Sequence, residues 1–376
     1  MLKKFFLNFL SSFVGAWVAL GLFGITVIIV IVSLLAKVGM SESGPTEKIR
    51  KHSVMVIDLN GMIEERPTPA EPDYIKILKG DLEVPLTLTS LTSAIREASD
   101  NKDVDMIYLK CGVVGAGMAT LRSLRQELLH FKESGKKIYA YGDAYSLADY
   151  YVASVADSLF VNPNGTVGLN GISGTVPYFK DLLDKVGIQV QIVKVGTFKS
   201  AVEPYIANEM SQPARAQLDT LYGNIWKEIT SEIGKSRRLT PEQINSIIDK
   251  DYPQLQDGYF AVKKHLADKA VYERTMDSRV AAAVGVEEDK LNYISSSTMS
   301  TIADANINFG KKKRIAVLFA TGEIMEGSKT GINCEVLVPI ITELAEDNDV
   351  SGMVLRVNSP GGSVFGSEQI AEALEY

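Results

Sequence analysis

The stretch LTSAIREASDNKDVDMIYLKCGVVGAG, residues 91–117, recurs in altered form near the end of the chain. It aligns with VLVPIITELAEDNDVSGMVLRVNSPGGS, residues 336–363, at an offset of 246 that places Asp103 on Asp349. Each copy indicates a helix, an Asp-Val turn, an apolar strand and a glycine turn, in that order. A repeated order at a fixed offset predicts a tandem duplication of one structural unit, with the second copy cut short.

Strands and helices alternate through the first copy. Apolar, β-branched runs predict strands over 53–65, 136–144 and 188–196, while PYFKDLLDKVG, residues 177–187, predicts a helix. Strands separated by helices indicate a largely parallel sheet with helices packed on it. We therefore expect an α/β fold.

A helical stretch follows the first copy. Apolar residues recur at helical spacing over 211–235. A second helix is predicted at LTPEQINSIID, where Thr240 is the N-cap, Pro241 lies in the first turn and Gln243 completes a capping box. This stretch, to about residue 300, is expected to bridge the two copies.

The N-terminus differs in composition from the rest of the chain. No charged residue occurs between Lys4 and Lys37, a run longer than the ~20 residues that cross a bilayer core. A cleaved signal peptide has an apolar stretch of only about 7–15 residues. A signal anchor over 11–36 is therefore expected, and Lys3 and Lys4 favour a cytoplasmic N-terminus by the positive-inside rule.

Composition excludes several classes of function. The 376 residues carry a net charge of −7, and no basic stripe follows the N-terminus, so nucleic-acid binding is disfavoured. Only Cys111 and Cys334 are present, and two cysteines form no disulfide framework, so two free thiols are favoured over one disulfide. No Cys/His spacing suits zinc, and no metal or organic cofactor is expected.

One lysine is a candidate catalytic residue. VGTFKSAVEPY, residues 195–205, leaves a predicted strand through Gly196 and presents Lys199 before Glu203-Pro204. From local sequence alone, an exposed loop lysine is the simpler interpretation. A catalytic role requires a water-poor pocket, because burial disfavours the ammonium and can lower a lysine pKa by several units. A neutral amine can then remove the proton of a serine hydroxyl.

Two motifs resemble one family. GTFKSAVEPY is similar to the lysine motif of the signal peptide peptidase A family, also called protease IV, which comprises bacterial membrane-bound serine–lysine proteases. LRVNSPGGSVFGSEQI resembles the family's second-copy glycine turn. The resemblance covers roughly 45–376. It implies the long, two-copy form, with tandem crotonase/Clp-protease-like repeats joined by a helical bridge.

The resemblance implies a division of the chain and a set of site residues. The backbone N–H of Gly362 is expected to donate to the oxyanion, and Gly361 is expected to shape the turn. Ser363 is expected to be the N-cap of a helix rather than the nucleophile. The expected division is a cytoplasmic N-terminus at 1–10, a transmembrane signal anchor at 11–36, a linker at 37–52, a first peptidase-like repeat at 53–210, a helical bridge at 211–300 and an incomplete second repeat at 301–376.

The nucleophile is expected to lie outside these residues. In the family it belongs to a motif of the type Ala-Ala-Ser-Gly-Gly-Tyr, and AYSLADYYVAS matches that motif in the first copy with Ala148 in the place of the serine. The offset of 246 puts the second-copy serine near position 394, beyond Tyr376. Ser146 and Ser154 are nearby hydroxyls, but neither occupies the matching position.

The resemblance implies a membrane-anchored serine endopeptidase that degrades signal peptides with a Ser–Lys dyad. Expected partners are peptide substrates, the bilayer and further copies in a homotetramer. Expected localisation is the inner membrane, single-pass, with the catalytic part facing the periplasm or cell exterior. One alternative is an inactive membrane-anchored relative that binds or scaffolds partners. A weaker alternative is an acyl-thioester enzyme of the crotonase kind, against which the apolar N-terminus and the Lys199 motif argue.

Overall fold

The structure is a computed structural model. It describes residues 4, 12–27, 30, 47–66, 86–306, 313–328 and 331–376. Two compact units divide the chain, Met1–Ala305 and Asn306–Tyr376.

The first unit is built on a seven-stranded, all-parallel sheet, as the alternation of elements predicts. Its strands are β1 (Ser53–Glu64), β2 (Leu86–Thr87), β3 (Val104–Gly115), β4 (Lys137–Gly142), β5 (Ser158–Val161), β6 (Lys269–Ala270) and β7 (Asn292–Ser295). The strand order is β2-β1-β3-β4-β5-β6, and β7 pairs with the opening residues of β1.

Among the described residues, ten α-helices follow or connect these strands. They are α1 (Leu88–Asp100), α2 (Met118–Glu133), α3 (Leu147–Ala153), α4 (Lys180–Lys185), α5 (Glu203–Ile206), α6 (Gln212–Arg237), α7 (Pro241–Asp251), α8 (Gly258–Lys263), α9 (Met276–Val284) and α10 (Ser296–Asn306). The predicted capping box of α7 is confirmed, since Thr240 and Gln243 each accept from the other's backbone N–H.

Both faces of the sheet are buried, which explains why its strands are almost continuously apolar. Successive side chains of a strand point to opposite faces. On β1, Met55 and Ile57 therefore join the cluster that packs on α1, α2, α3 and α6, while Val54 joins a second cluster. That second cluster contains Tyr108 of β3 and Val280 of α9.

The second unit has a two-stranded parallel sheet. Strand β8 (Arg314–Thr321) pairs with β9 (Val350–Asn358), and the helices α11 (Cys334–Glu346) and α12 (Val364–Glu375) accompany them. Its small core includes Ala320, Leu337, Ile341 and Ile370.

The two units share a spacing of elements. Helices α1 and α11 begin at residues 88 and 334, strands β3 and β9 at 104 and 350, and helices α2 and α12 at 118 and 364. Each pair is separated by 246 residues, the offset expected from the sequence comparison. The same local structure therefore follows the same sequence pattern in both units.

The predicted signal anchor lies only partly in the described residues. Residues 12–27 form a helix with mostly exposed side chains. Apart from residue 30, the rest of 11–36 lies outside the described residues. No helix among the described residues combines the length and the apolar character that crossing a membrane requires.

The strand predicted over 188–196 is wrong. These residues follow α4 without pairing to any strand in the described chain. Val193 is fully exposed and Val195 is 86% exposed. A β-branched sequence favours a strand only where a neighbour satisfies its backbone and covers its side chains. The helix predicted over 177–187 is confirmed, although α4 occupies only its centre.

A buried arginine joins the first repeat to α6. Arg125 of α2 is 1% exposed. Its guanidinium donates to the main-chain oxygen of Tyr151 in α3 and to Ser154 Oγ at 2.7 Å, just after that helix. It also donates to two atoms of α6, Glu232 O and Ser236 Oγ, both at 2.8 Å. Burial lowers the pKa of its guanidinium, and Glu232 Oε2 at 3.3 Å opposes that effect. Arg125 thus holds three helices together.

Arg125→Ala should lower the free energy of unfolding of the first unit by about 2–3 kcal/mol, because several buried acceptors lose their donor together. Arg122 is the matched control. It lies on the same helix and pairs with Glu228 of α6 at 2.8 Å, but its side chain is 50% exposed. Arg122→Ala should cost less than about 1 kcal/mol. Urea unfolding of both variants measures the difference, and equal losses would contradict the assigned role of Arg125.

Candidate active site

Lys199 lies in an exposed turn between α4 and α5. Its side chain is exposed, and so is that of Phe198. No carboxylate lies within ion-pairing distance of Lys199 among the described residues. The amine is therefore accessible and unpaired in the first unit, and the water-poor setting that a catalytic role requires is not provided by the residues around it.

The turn is tied to its surroundings on both sides. Phe179 N–H, next to α4, donates to Pro204 O at 2.7 Å, and the Phe179 ring stacks on Tyr205 with centroids 6.2 Å apart. On the other side, Glu203 accepts from Ser211 through both the hydroxyl (2.7 Å) and the backbone N–H (3.2 Å). Because Ser211 caps α6, the lysine turn is attached to the start of that helix.

The glycine turn of the second unit joins β9 to α12. Gly361 and Gly362 have φ values of +109° and +151°, which residues with a Cβ rarely adopt. A Cβ on Gly362 would lie 2.2 Å from Ile324 O, so the chain can approach this closely only with glycine there.

Ile324 holds this turn in place through two backbone hydrogen bonds. Its N–H donates to Gly361 O at 3.0 Å, and its carbonyl accepts from Ser363 N–H at 2.8 Å. In parallel pairing of this kind the N–H of the intervening residue points away from the partner strand. Gly362 N–H accordingly has no acceptor among the described residues, whereas Gly361 N–H donates to Ser359 Oγ at 3.1 Å. Gly362 therefore has the free donor that an oxyanion hole needs.

Ser363 is the N-cap of α12, as predicted. Its Oγ accepts from Gly366 N–H at 3.1 Å and donates to Glu326. A hydroxyl engaged in both directions is structural, and this is the expected behaviour of a capping serine.

Ala148, which the sequence predicts to stand in the place of the serine, lies in the first turn of α3 between the two residues of its capping box. Ala148 has no hydroxyl, and its neighbour Asp149 is fully buried. Asp149 accepts from Ser146 N–H and Val114 N–H, both at 3.1 Å, and from Ser146 Oγ. Burial raises the pKa of Asp149, and these hydrogen bonds oppose the shift. The Ser146 hydroxyl is therefore engaged in the capping box of α3.

A cavity of about 300 Å³ lies at the carboxyl ends of β3 and β4, lined by Lys110, Cys111, Tyr141, Asp143 and Glu273 among others. Parallel α/β sheets bind ligands in such crevices. Hydrogen bonds from Tyr141 and Asn162 lower the pKa of Asp143. Burial raises the pKa of the Cys111 thiol well above its usual range, which leaves it a poor nucleophile.

Both cysteines of the chain lie among the described residues. Cys111 and Cys334 are both free thiols. No group of three His, Cys, Asp or Glu side chains that could hold a metal ion occurs among the described residues.

The predicted site residues fall in different units: Lys199 in the first, Gly361 and Gly362 in the second. The sequence pointed to none of the contacts that hold them, namely Ser211 with Glu203 and Ile324 with the glycine turn. A signal for Ser211 was present, because a serine two residues before Pro213 is typical of a helix start. For Ile324 there was no such signal, since only its backbone takes part.

Comparison with known proteins gives the chain a family. Residues 130–287 match the family description "Peptidase family S49". The chain is 30% identical to Protease 4 of Salmonella typhi over 385 aligned residues, covering 98% of this chain and 60% of that protein. It is 29% identical to Protease 4 of Haemophilus influenzae, and that alignment covers 91% of this chain and 58% of that protein. The chain therefore spans about three fifths of these relatives.

Among solved structures, a mutant of the 1510-N membrane-bound stomatin-specific protease aligns over 65% of this chain and 97% of that one, at 11% identity and a TM-score of 0.35. The fold assignment rests instead on the parallel sheet described above. Residues 130–287, which include the turn that presents Lys199, match peptidase family S49, and the chain is similar to the Protease 4 proteins over most of its length.

Proposed function

We propose that this chain is part of a membrane-anchored serine endopeptidase that degrades signal peptides with a Ser–Lys dyad. The observation that carries the proposal is the free N–H of Gly362, which lies between the bonded N–H groups of Gly361 and Ser363. A donor fixed in this way costs no reorganisation when negative charge develops on a substrate carbonyl.

In the proposed reaction a serine hydroxyl attacks the peptide carbonyl while the Lys199 amine removes its proton. The tetrahedral intermediate places its oxyanion on Gly362 N–H, and Lys199 then returns the proton to the leaving amine. The serine is one that residues 1–376 do not supply: Ala148 stands at the first-repeat position, and Ser363 caps α12. No metal or organic cofactor takes part in these steps.

Because Lys199 is exposed in the first unit, a further part of the protein must cover it before it can act as a base. A lysine acts as a base only where its ammonium is disfavoured, and water must be excluded for that. We propose that assembly of the protein into a homo-oligomer, a tetramer by family resemblance, covers this turn. We also propose that residues 11–36 anchor the protein in the inner membrane with the catalytic part outside the cytoplasm. Apolar signal peptides would reach the site from the same bilayer.

The proposal is tested by incubating the complete gene product, in detergent, with a synthetic signal peptide and with a charged peptide of equal length. Cleavage of the signal peptide at a rate at least about tenfold higher is expected, because each buried apolar group adds to binding. Equal cleavage would contradict the substrate assignment. Cleavage of neither peptide would favour the alternative, a binding or scaffold protein.

A further inference from the structure

A carboxylate next to a general-base lysine opposes its function, because an ion pair favours the charged ammonium over the neutral amine. Glu203 is the acidic residue closest to Lys199 along the chain. The turn between them is closed by Glu203 N–H donating to Ser200 O at 3.0 Å. Lys199 stands directly before this turn, four residues from Glu203 in the chain.

The carboxylate of Glu203 is directed elsewhere. Glu203 is 5% exposed, and both of its oxygens accept from Ser211, at 2.7 Å from the hydroxyl and 3.2 Å from the N–H. Ser211 Oγ also accepts from Ala214 N–H at 3.3 Å. The serine therefore joins the carboxylate to the first turn of α6, where the helix dipole also favours negative charge.

Other charged groups of the neighbouring elements do not take the place of Glu203. On α4, Asp184 pairs with Lys180 at 2.6 Å, and Asp181 lies in the first turn of the same helix. The first turn of α6 has no acidic side chain, and Glu209 precedes it. Lys194, on the segment before the turn, attracts Glu203.

We propose that Ser211 is a positioning residue whose hydroxyl holds the Glu203 carboxylate against α6 and so keeps Lys199 free of an ion pair. The inference rests on the proposed function, in which Lys199 is the general base. Ser211 would thus both cap α6 and hold away from the reacting amine the carboxylate that is closest to it in sequence.

The test measures the reactivity of Lys199 rather than turnover. Acetic anhydride labels only the neutral amine, and peptide mass spectrometry follows Lys199 between about pH 7 and 11, a range that brackets ordinary lysine ionisation. Ser211→Gly is the principal variant, because glycine retains most of the N-cap preference and removes the hydroxyl. Ser211→Ala also removes the hydroxyl, but alanine destabilises the helix start more than glycine does.

We expect Ser211→Gly to slow labelling of Lys199 about two- to fivefold below the half-labelling pH, the size of an exposed ion pair. The double variant Ser211→Gly with Glu203→Gln should label at the wild-type rate, because a neutral amide forms no ion pair. Thr240→Gly removes the N-cap hydroxyl of α7 and should leave Lys199 unchanged.

Unchanged labelling in both Ser211 variants would overturn the inference. So would slow labelling that persists in the double variant, or that Thr240→Gly reproduces, because the carboxylate would then not be the cause. Failure of the proposed function is distinguished by a separate assay: it would appear as peptide hydrolysis that does not depend on Lys199, whatever the labelling rates.

Discussion

Lys199→Ala should lower kcat/KM for peptide hydrolysis by the complete protein by about 10³-fold while the protein remains folded. General acid–base groups typically contribute about 10²–10⁴-fold, and a serine hydroxyl without a base is a weak nucleophile. The exposed position of Lys199 means that its removal costs little packing. The loss should therefore appear in catalysis and not in the unfolding transition.

Lys185→Ala is the matched control for this variant. Lys185 is an exposed lysine at the end of α4, on the segment that leads to the lysine turn. Its replacement removes the same charge from the same region and should leave kcat/KM within about twofold, as expected of a surface substitution. If Lys199→Ala behaved like Lys185→Ala, Lys199 would not be the base.

Gly362→Ala should lower kcat by about 10²–10³-fold, the usual cost of losing one oxyanion-hole donor. The added Cβ would lie 2.2 Å from Ile324 O, so either the turn or residue 324 must move, and the φ of +151° is strained for alanine. KM should change much less than kcat, because the donor acts mainly on charge that develops in the transition state.

Gly352→Ala controls for the loss of a glycine in the same unit. Gly352 lies in β9, and a Cβ there would meet nothing within 4 Å. This variant should keep both kcat and the thermal stability of the protein. A Gly362→Ala protein with wild-type kcat would show that the free N–H of Gly362 is not used.

Most of the fold of the first unit was predictable because its signals are local. The apolar strand at β1 and the capping box at Thr240 depend on residues adjacent in sequence, and both are confirmed. The segment 188–196 has an equally strong strand pattern, yet it forms no strand here. Strand formation depends on a partner for the backbone, and sequence alone does not show whether the partner is present.

The candidate site was predictable only in part, for a similar reason. Lys199 and Gly362 belong to short motifs, so the sequence shows them. The exposure of Lys199, the contact between Ser211 and Glu203, and the hold of Ile324 on the glycine turn arise from tertiary structure. None of these contacts has a fixed spacing that a sequence pattern would reveal.

The central claim is that Lys199 activates a serine that residues 1–376 do not contain. A serine-reactive fluorophosphonate, applied to the complete gene product and mapped by peptide mass spectrometry, tests it most directly. The account predicts one labelled serine outside these residues, with labelling lost in Lys199→Ala. Labelling at Ser146, Ser154 or Ser363, or labelling that Lys199→Ala leaves unchanged, would contradict it.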